Sequence, residues 1–174
     1  AFGLRCIGAR GESGVSGTHW YANTTDGSAI MEGDPVARTA TGQVALMAAG
    51  GALDFIGSVE GCYDSSRKPL QYLTANTAGY LTVNDDPNTR WVIQAATTTG
   101  TAIAVTDVFL NCDHVAGTNS TALGQSRAEL NTTGAVNTTA QFRIEELYEA
   151  IDNEWGQHAK LIVSANEHAY RTST

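Results

Sequence analysis

The segment Gly79-Tyr-Leu-Thr-Val83 has the two-residue alternation of a β-strand, and the chain then turns at Asn84-Asp-Asp-Pro87. Side chains of this polar cluster can hydrogen-bond the backbone of a turn, and Pro87 blocks further strand pairing. Trp91-Val-Ile-Gln94 then begins a second apolar run. Residues 79–94 therefore predict a strand, a turn and a second strand.

The same pattern extends toward the N-terminus. Four short apolar runs lie between residues 28 and 64, separated by Gly-Asp-Pro, Thr-Gly and Gly-Gly. Short strands with frequent glycine bends are what a small barrel or sandwich needs to curve its sheet. We therefore predict an all-β fold, a single domain of short antiparallel strands forming a small β-barrel or β-sandwich.

The predicted domain spans residues 1–174 in four parts. Residues 1–18 are Gly- and Ser-rich and predict an extended N-terminal arm, while residues 113–139 lack periodicity and predict a long surface excursion. Residues 19–112 form the predicted barrel-like core, and residues 140–174 a C-terminal hairpin that completes it. Thr101 to Asn111 is rich in β-formers and predicts a strand, with Val105, Phe109 and Leu110 as core candidates.

Residues 142–151 fit two interpretations. The spacing of Ile144, Leu147, Tyr148 and Ile151 matches a helical stripe. The turn cluster 152–156 and the strand-like run 159–163 favour a hairpin instead. The residues alone leave helix and strand open, with the strand preferred.

Composition excludes several classes of partner. Charged residues make up 16% of the 174-residue chain, whose net charge is −8, and its ten Lys and Arg residues are scattered in sequence. Nucleic-acid phosphates need clustered basic side chains, so we expect no direct contact with DNA or RNA. No apolar stretch approaches the roughly 20 residues of a membrane-spanning helix, and the first residues lack an export signal, so we expect no membrane contact.

The cysteines fit neither a disulfide framework nor a zinc site. Cys6, Cys62 and Cys112 lie far apart and lack the paired spacing of zinc ligands. We expect them to be reduced, partly buried small side chains, which fits assembly in a cytoplasm.

No known catalytic motif is present. There is no nucleophile elbow, phosphate loop, His-Glu-x-x-His or dinucleotide fingerprint, and the four histidines are dispersed. We therefore predict a non-enzyme with no catalytic residues, no metal and no cofactor. Two acidic clusters are interpreted as structural turns, comprising Gly33, Asp34, Pro35, Asp85, Asp86 and Pro87.

The ordered series of segments resembles a family of bacteriophage head decoration proteins, also called cement proteins, of tailed phages. The resemblance rests on Phe2-Gly-Leu-Arg5, Gly33-Asp-Pro-Val36, Gly57 with Gly61-x-Tyr63, Asp85-Asp-Pro87 with Trp91-Val-Ile-Gln94, Gly124-Gln-Ser126, Asn153-Glu-Trp-Gly156 and Asn166-Glu-His168. It covers nearly the whole chain. It also favours a hairpin over a helix for residues 142–164.

The resemblance implies a structural virion protein on the outer surface of an icosahedral head, assembled in the host cytoplasm. Its partner would be the major capsid protein, and it would act as a homotrimer that ties neighbouring capsomers together. The expected capsid or neighbour contacts are Phe2, Leu4, Arg5, Arg10 and Trp20. Deletion of residues 1–12 is expected to leave a folded trimer that binds heads poorly.

The alternative is a carbohydrate-binding surface module. Such a module would use exposed aromatic side chains and polar loops, with Trp20 and Trp155 as the residues to test. Loss of glycan binding on replacing either tryptophan would favour it.

Overall fold

The computed structural model describes residues 1–9, 17–22, 26–50, 55–100, 102–133 and 140–171, with the backbone alone over 97–100. The described chain is all-β apart from a three-residue 3₁₀ helix, Val105–Asp107. In chain order the strands are β1 (Arg5–Ala9), β2 (Thr18–Tyr21), β3 (Ile30–Met31), β4 (Pro35–Arg38), β5 (Val44–Leu46), β6 (Phe55–Asp64), β7 (Pro69–Leu70), β8 (Tyr72–Leu73), β9 (Gly79–Asn84), β10 (Thr89–Gly100), β11 (Asn111–Cys112), β12 (His114–Val115), β13 (Glu129–Thr132), β14 (Phe142–Leu147) and β15 (Lys160–Ala165). The predicted fold class is confirmed.

The larger sheet has seven strands in the order β11-β14-β15-β10-β13-β12, and β1 also pairs with β10. Its inner face is built by alternation, because Trp91, Ile93 and Ala95 of β10 are buried in one cluster with Phe142 and Ile144 of β14. All these pairings are antiparallel except one, since β13 runs parallel to β10. That parallel pair is the departure from the predicted antiparallel sheet.

The second sheet has six strands in the order β2-β9-β6-β4-β5, with β7 on β6. Val59, Leu81 and Val83 lie in its own buried cluster. The two sheets meet where Trp91 Nε1 donates to Ser58 Oγ of β6 at 2.9 Å. A small third sheet pairs β3 with β8.

The N-terminal arm was predicted wrongly for residues 1–9. Leu4 is 2% exposed and lies in the core of the larger sheet, and its amide donates to Gly33 O at 2.8 Å. β1 then pairs with β10 from Arg5 to Ala9. Because Leu4 is part of the core and β1 pairs with β10, residues 1–9 are ordered by the fold itself and not by a partner. Residues 10–16 lie outside the described residues.

Two further predictions are wrong. Residues 113–133 are not a surface excursion, because Leu130 of β13 is fully buried in the main core; residues 134–139 lie outside the described residues. In the segment predicted as a strand over 101–111, Val105 is 65% and Phe109 63% exposed. Asp107 accepts a hydrogen bond from Ala104 N at 2.8 Å and so closes a 3₁₀ turn where an extended strand was expected.

The C-terminal hairpin has the predicted form. β14 pairs antiparallel with β15, from Phe142 opposite Ala165 to Leu147 opposite Leu161. Phe142 and Ile144 point into the core and Arg143 points away from it. The helical alternative for residues 142–151 is therefore wrong, because alternation over 142–147 buries one face of a strand.

Candidate interaction face

The outer face of the seven-stranded sheet carries a row of arginines. Arg90 of β10 lies opposite Ser164 of β15, which in turn lies opposite Arg143 of β14. Residues opposite each other in paired strands point to the same face. Trp91, next to Arg90, is fully buried on the inner face, so the row points outward.

Three more cations extend the row. Arg5 of β1 lies opposite Val92, and Lys160 of β15 lies opposite Gln94. Arg171 lines the same end of the sheet as the two row arginines. Half of the ten basic residues thus gather on one face of a chain with net charge −8, although they are scattered in sequence. We call Arg5, Arg90, Arg143, Lys160 and Arg171 the basic face.

A cavity of about 420 Å³ opens at one end of the basic face. Arg171 is held at its rim, because Nη2 donates to Pro87 O at 2.7 Å. Among the described residues, the buried Nε of Arg90 has no hydrogen-bond partner. The guanidinium of Arg143 lies over the Phe109 ring, 5.3 Å from its centre. We call Arg90, Phe109, Arg143 and Arg171 the arginine groove.

Carboxylates lie among the cations of the basic face. Glu146 Oε1 lies 3.6 Å from Arg90 Nη1, and Asp152 Oδ2 lies 3.4 Å from Lys160 Nζ. The carboxylates of both pairs are exposed, and such surface pairs contribute about 0–1 kcal/mol each. Glu145 also lines the groove. Glu32 and Glu60 line the cavity beside Arg5 and Lys160, so the excess of cations is confined to the arginine groove, and it favours an acidic partner there.

Phe109 has a conformation that needs explanation. Its φ is 71°, in the left-handed region that a bulky side chain rarely adopts, and it is 63% exposed. The amide of Phe109 donates to Ile144 O at 2.8 Å, which holds Phe109 beside β14. An exposed aromatic ring in a strained conformation is typical of a contact site.

The predicted contact residues have different positions. Arg5 is exposed on the basic face, and Phe2 is half-buried. Leu4 is buried in the core, so its assignment as a contact residue is wrong. Trp20 is half-buried, packs against the second core and donates from Nε1 to Asp85 Oδ2 at 3.2 Å. Arg10 lies outside the described residues.

Asp34 does more than form a turn. Gly33 has φ 83° between β3 and β4, as a turn there requires, and Asp34 follows it with 3% exposure. Asp34 Oδ2 accepts hydrogen bonds from Met31 N at 2.8 Å and Asn119 Nδ2 at 2.9 Å. Desolvation raises the pKa of Asp34, opposed by hydrogen bonds that include one from Ser126. Asp34 therefore ties the turn to the 119–126 segment, while Pro35 begins β4.

The Asp85-Asp86-Pro87 cluster connects β9 to β10. Asp86 Oδ1 accepts from Asn88 N at 2.8 Å, which is a local turn bond. Asp85 is instead a surface link, since it accepts from the side chains of Thr18, Trp20 and Tyr170. Asp85 thereby ties β2 to the end of the described chain.

Burial favours the neutral forms of the buried histidines and cysteines. His114 Nδ1 lies 2.6 Å from Gln141 Oε1, and desolvation lowers the pKa of both His114 and His168. Burial raises the pKa of the Cys62 thiol to about 11 and that of Cys112 to about 12, and all three cysteines are unbonded. Thiols with a raised pKa are poor nucleophiles at neutral pH.

Within the described ranges, no three His, Cys, Asp or Glu side chains come together as a metal site would require. No helix in that part of the chain has the length and apolar character to cross a bilayer. The absence of enzymatic activity stays a prediction.

No protein-family model, curated protein or solved structure matches this chain. The basic face is the structural feature that indicates a function. Sequence reasoning named Arg5 alone of its five members, because the other four come from β10, β14, β15 and the segment after β15. The available signal was alternation, since Arg90 precedes buried Trp91, and Arg143 stands between buried Phe142 and Ile144.

Proposed function

We propose that this chain is a structural virion protein that decorates the outer surface of an icosahedral phage head. It would cement neighbouring capsomers of the major capsid protein against the pressure of the packaged genome. It would act as a homotrimer, assembled in the host cytoplasm, without a cofactor and without direct contact with nucleic acid. The ordered sequence motifs supply the resemblance behind this proposal.

The observation that carries the proposal is the basic face on an acidic chain. A sheet face with arginines beside an exposed aromatic ring has the composition of a protein-docking surface. Its groups are arranged to meet carboxylates of a partner surface. The face carries two ion pairs, Arg90–Glu146 and Lys160–Asp152. Among the described residues, the buried Nε of Arg90 has no hydrogen-bond partner.

Cementing requires binding energy alone. A protein that binds the expanded shell and not its disassembled parts stabilises the shell by mass action. Repeated attachment by linked copies multiplies modest contacts into a slow dissociation. A small folded domain with one charged docking face is sufficient for this role.

The test is cosedimentation of the purified protein with expanded, undecorated heads, with the copy number read from the bound fraction. We expect saturation at a number set by the lattice symmetry, and heads that resist heat better. Arg5→Glu, on the exposed part of the basic face, should weaken binding. Lys68→Glu is the matched control, because Lys68 is exposed in the turn after β6, away from this face. Absence of binding by the folded protein would contradict the proposal.

A carbohydrate-binding module is the second candidate, and one observation favours it. On the second sheet, Tyr21 and Tyr80 pack edge to face with ring centres 5.4 Å apart, and Arg67 lies over the Tyr80 ring. These rings suit the test better than Trp20 and Trp155, which are half-buried against the two cores. Glycan binding that disappears in Tyr21→Ala, without binding to heads, would favour this candidate.

A further inference from the structure

We infer that the arginine groove of one copy binds the loop between β14 and β15 of a second copy. This contact deepens the association between copies in the proposed function and rests on it. It assigns the groove end of the basic face to the second copy and leaves Arg5 and Lys160 for the capsid. The partner is identified by charge, shape and position, all of which are features of this chain.

The loop is an apolar tip surrounded by carboxylates. Ile151 is 110% exposed, the most exposed of the large apolar side chains among the described residues. Its neighbours Glu149, Asp152 and Glu154 are exposed as well. We call residues 149–154 the acidic loop. A fully exposed isoleucine among acids fits a groove that has cations around an aromatic ring.

The acidic loop is held in shape before any partner binds. Asn153 Nδ2 donates to Tyr148 O at 2.7 Å and to Lys160 O at 2.8 Å, and Asn153 Oδ1 accepts from Lys160 N at 2.8 Å. One amide side chain thus joins the end of β14 to the start of β15. Such preorganisation lowers the conformational entropy lost on binding.

The groove offers complementary groups. Phe109 presents an exposed ring that can cover the Ile151 side chain, and the adjacent guanidinium of Arg143 can bind a carboxylate of the acidic loop. Arg90 adds a buried Nε that lacks a partner among the described residues. Aromatic and arginine side chains are the usual energetic centres of protein interfaces.

The loop and the groove cannot meet within one copy. The groove lies at the Arg143 end of β14 and the acidic loop follows its other end. The four steps from Arg143 to Leu147 span about 13 Å at a rise of about 3.3 Å per residue, and the acidic loop begins beyond Leu147. Two complementary surfaces at opposite ends of a rigid hairpin produce a head-to-tail contact. Such a contact closes into a ring or extends as a filament.

Two variants test the arginine groove and the acidic loop separately. A groove variant combines Phe109→Asn, which suits the left-handed backbone, with Arg143→Glu on the exposed row. A loop variant combines Ile151→Ser with Glu149→Lys at exposed loop positions. We expect each to sediment as a monomer where the unmodified chain assembles, with an unchanged far-ultraviolet circular dichroism spectrum.

The matched controls change similar side chains elsewhere. Leu123→Ser removes an apolar side chain that is 60% exposed, and Lys68→Glu reverses an exposed charge near β7. Both should assemble as the unmodified chain does. Assembly should weaken as salt is raised, because the contact is charge-assisted.

Mixing the two variants tests the head-to-tail geometry. The groove variant keeps an intact acidic loop and the loop variant keeps an intact groove, so an equimolar mixture has one productive contact. We expect a dimer of one copy of each that grows no further. Monomers in the mixture would overturn the head-to-tail contact.

Other outcomes are equally decisive. A monomeric unmodified chain at all concentrations, or groove and loop variants that assemble normally, would overturn the inference. A groove variant that assembles normally but loses binding to heads would also overturn it and would assign the groove to the capsid. An unmodified chain that assembles as expected but ignores heads would instead contradict the proposed function alone.

Discussion

Asp34 forms part of a turn and also links that turn to a distant segment of the chain. Its carboxylate accepts a hydrogen bond from the backbone amide of Met31, in its own turn. It accepts another from the side-chain amide of Asn119, 85 positions further along the chain. It is 3% exposed, so these donors replace water as its hydrogen-bond partners.

Asp34→Asn should lower the free energy of unfolding by about 1–3 kcal/mol, because the new amide group would oppose a donor or leave one unpaired. Asp86→Asn is the matched control, since the Asn oxygen can still accept from Asn88 N in an exposed turn. Urea unfolding of the two variants measures the difference. Equal stabilities would show that Asp34 is not the link described.

His168 links stability to pH. Desolvation lowers its pKa, and Nδ1 accepts a hydrogen bond from Tyr170 N at 3.1 Å. His168 is therefore protonated near pH 6.5 in the unfolded chain, but only at lower pH in the folded chain. As pH falls from about 6.5 toward the folded pKa, this residue removes up to about 1.4 kcal/mol of stability per pH unit.

His168→Asn should flatten this slope, because Asn keeps a side-chain acceptor but does not titrate. The measurement is urea unfolding at several values between pH 7 and pH 5. His19→Asn on exposed β2 is the control. An unchanged slope in the His168 variant would contradict the assignment.

At the scale of elements, the pairing of β6 with β9 depends on a glycine. A Cβ added to Gly57 of β6 would overlap the carbonyl of Asn84 in β9. Gly57→Ala should therefore cost about 1–3 kcal/mol or more, as overpacking of a rigid backbone does. Gly27→Ala is the control, because nothing lies within 4 Å of its Cβ position. Thermal unfolding compares them, and equal midpoints would refute the close approach.

The N-terminal strand is part of the core. Leu4→Ala should lower the free energy of unfolding by about 2–5 kcal/mol, the usual cost of a cavity at a buried leucine. Ile7→Ala in the adjoining strand β1 is the control, since Ile7 is 37% exposed. Deletion of residues 1–12 should destabilise the fold, because it removes β1 and Leu4. Unfolding in urea distinguishes this result from loss of head binding alone.

Elements defined by local pattern were predictable from sequence, and elements defined by distant pairing were not. The hairpin of β14 and β15 was predictable from the turn cluster that begins at Asp152 and the strand-like run 159–163, although the spacing within 142–151 alone matched a helix. β13 was missed because its burial depends on a parallel partner, β10, that lies more than thirty positions earlier. Phe109 was assigned to a core on composition, whereas a local bond between Ala104 N and Asp107 turns the chain outward.

At the scale of the molecule, charge is distributed unevenly. The chain has a net charge of −8 and yet collects five cations on one sheet face. Composition predicted the acidic balance but not this face, because strand register determines which side chains become neighbours. Alternation could place Arg90 and Arg143 on an outward face, whereas the assembled surface could not be predicted from the sequence.

Because cations gather on one face of an acidic chain, we expect the rate of association with heads to depend on salt. Raising ionic strength to about 0.15 M shortens the screening length to about 8 Å, so steering by the basic face should weaken. Surface-plasmon or light-scattering kinetics should show slower binding with a smaller change in dissociation. Arg5→Glu should bind more slowly with a smaller salt effect. A rate independent of salt would show that the basic face does not steer the encounter.

The position of β15 has a consequence for synthesis of the protein. This late strand lies between β14 and β10, in the interior of its sheet. A ribosome must therefore release residues up to Ala165 before β10 can gain that neighbour. Until then the nascent chain carries an open strand edge, which is prone to pairing with other chains. Expression at low temperature or with a holdase chaperone should thus raise the yield of folded protein.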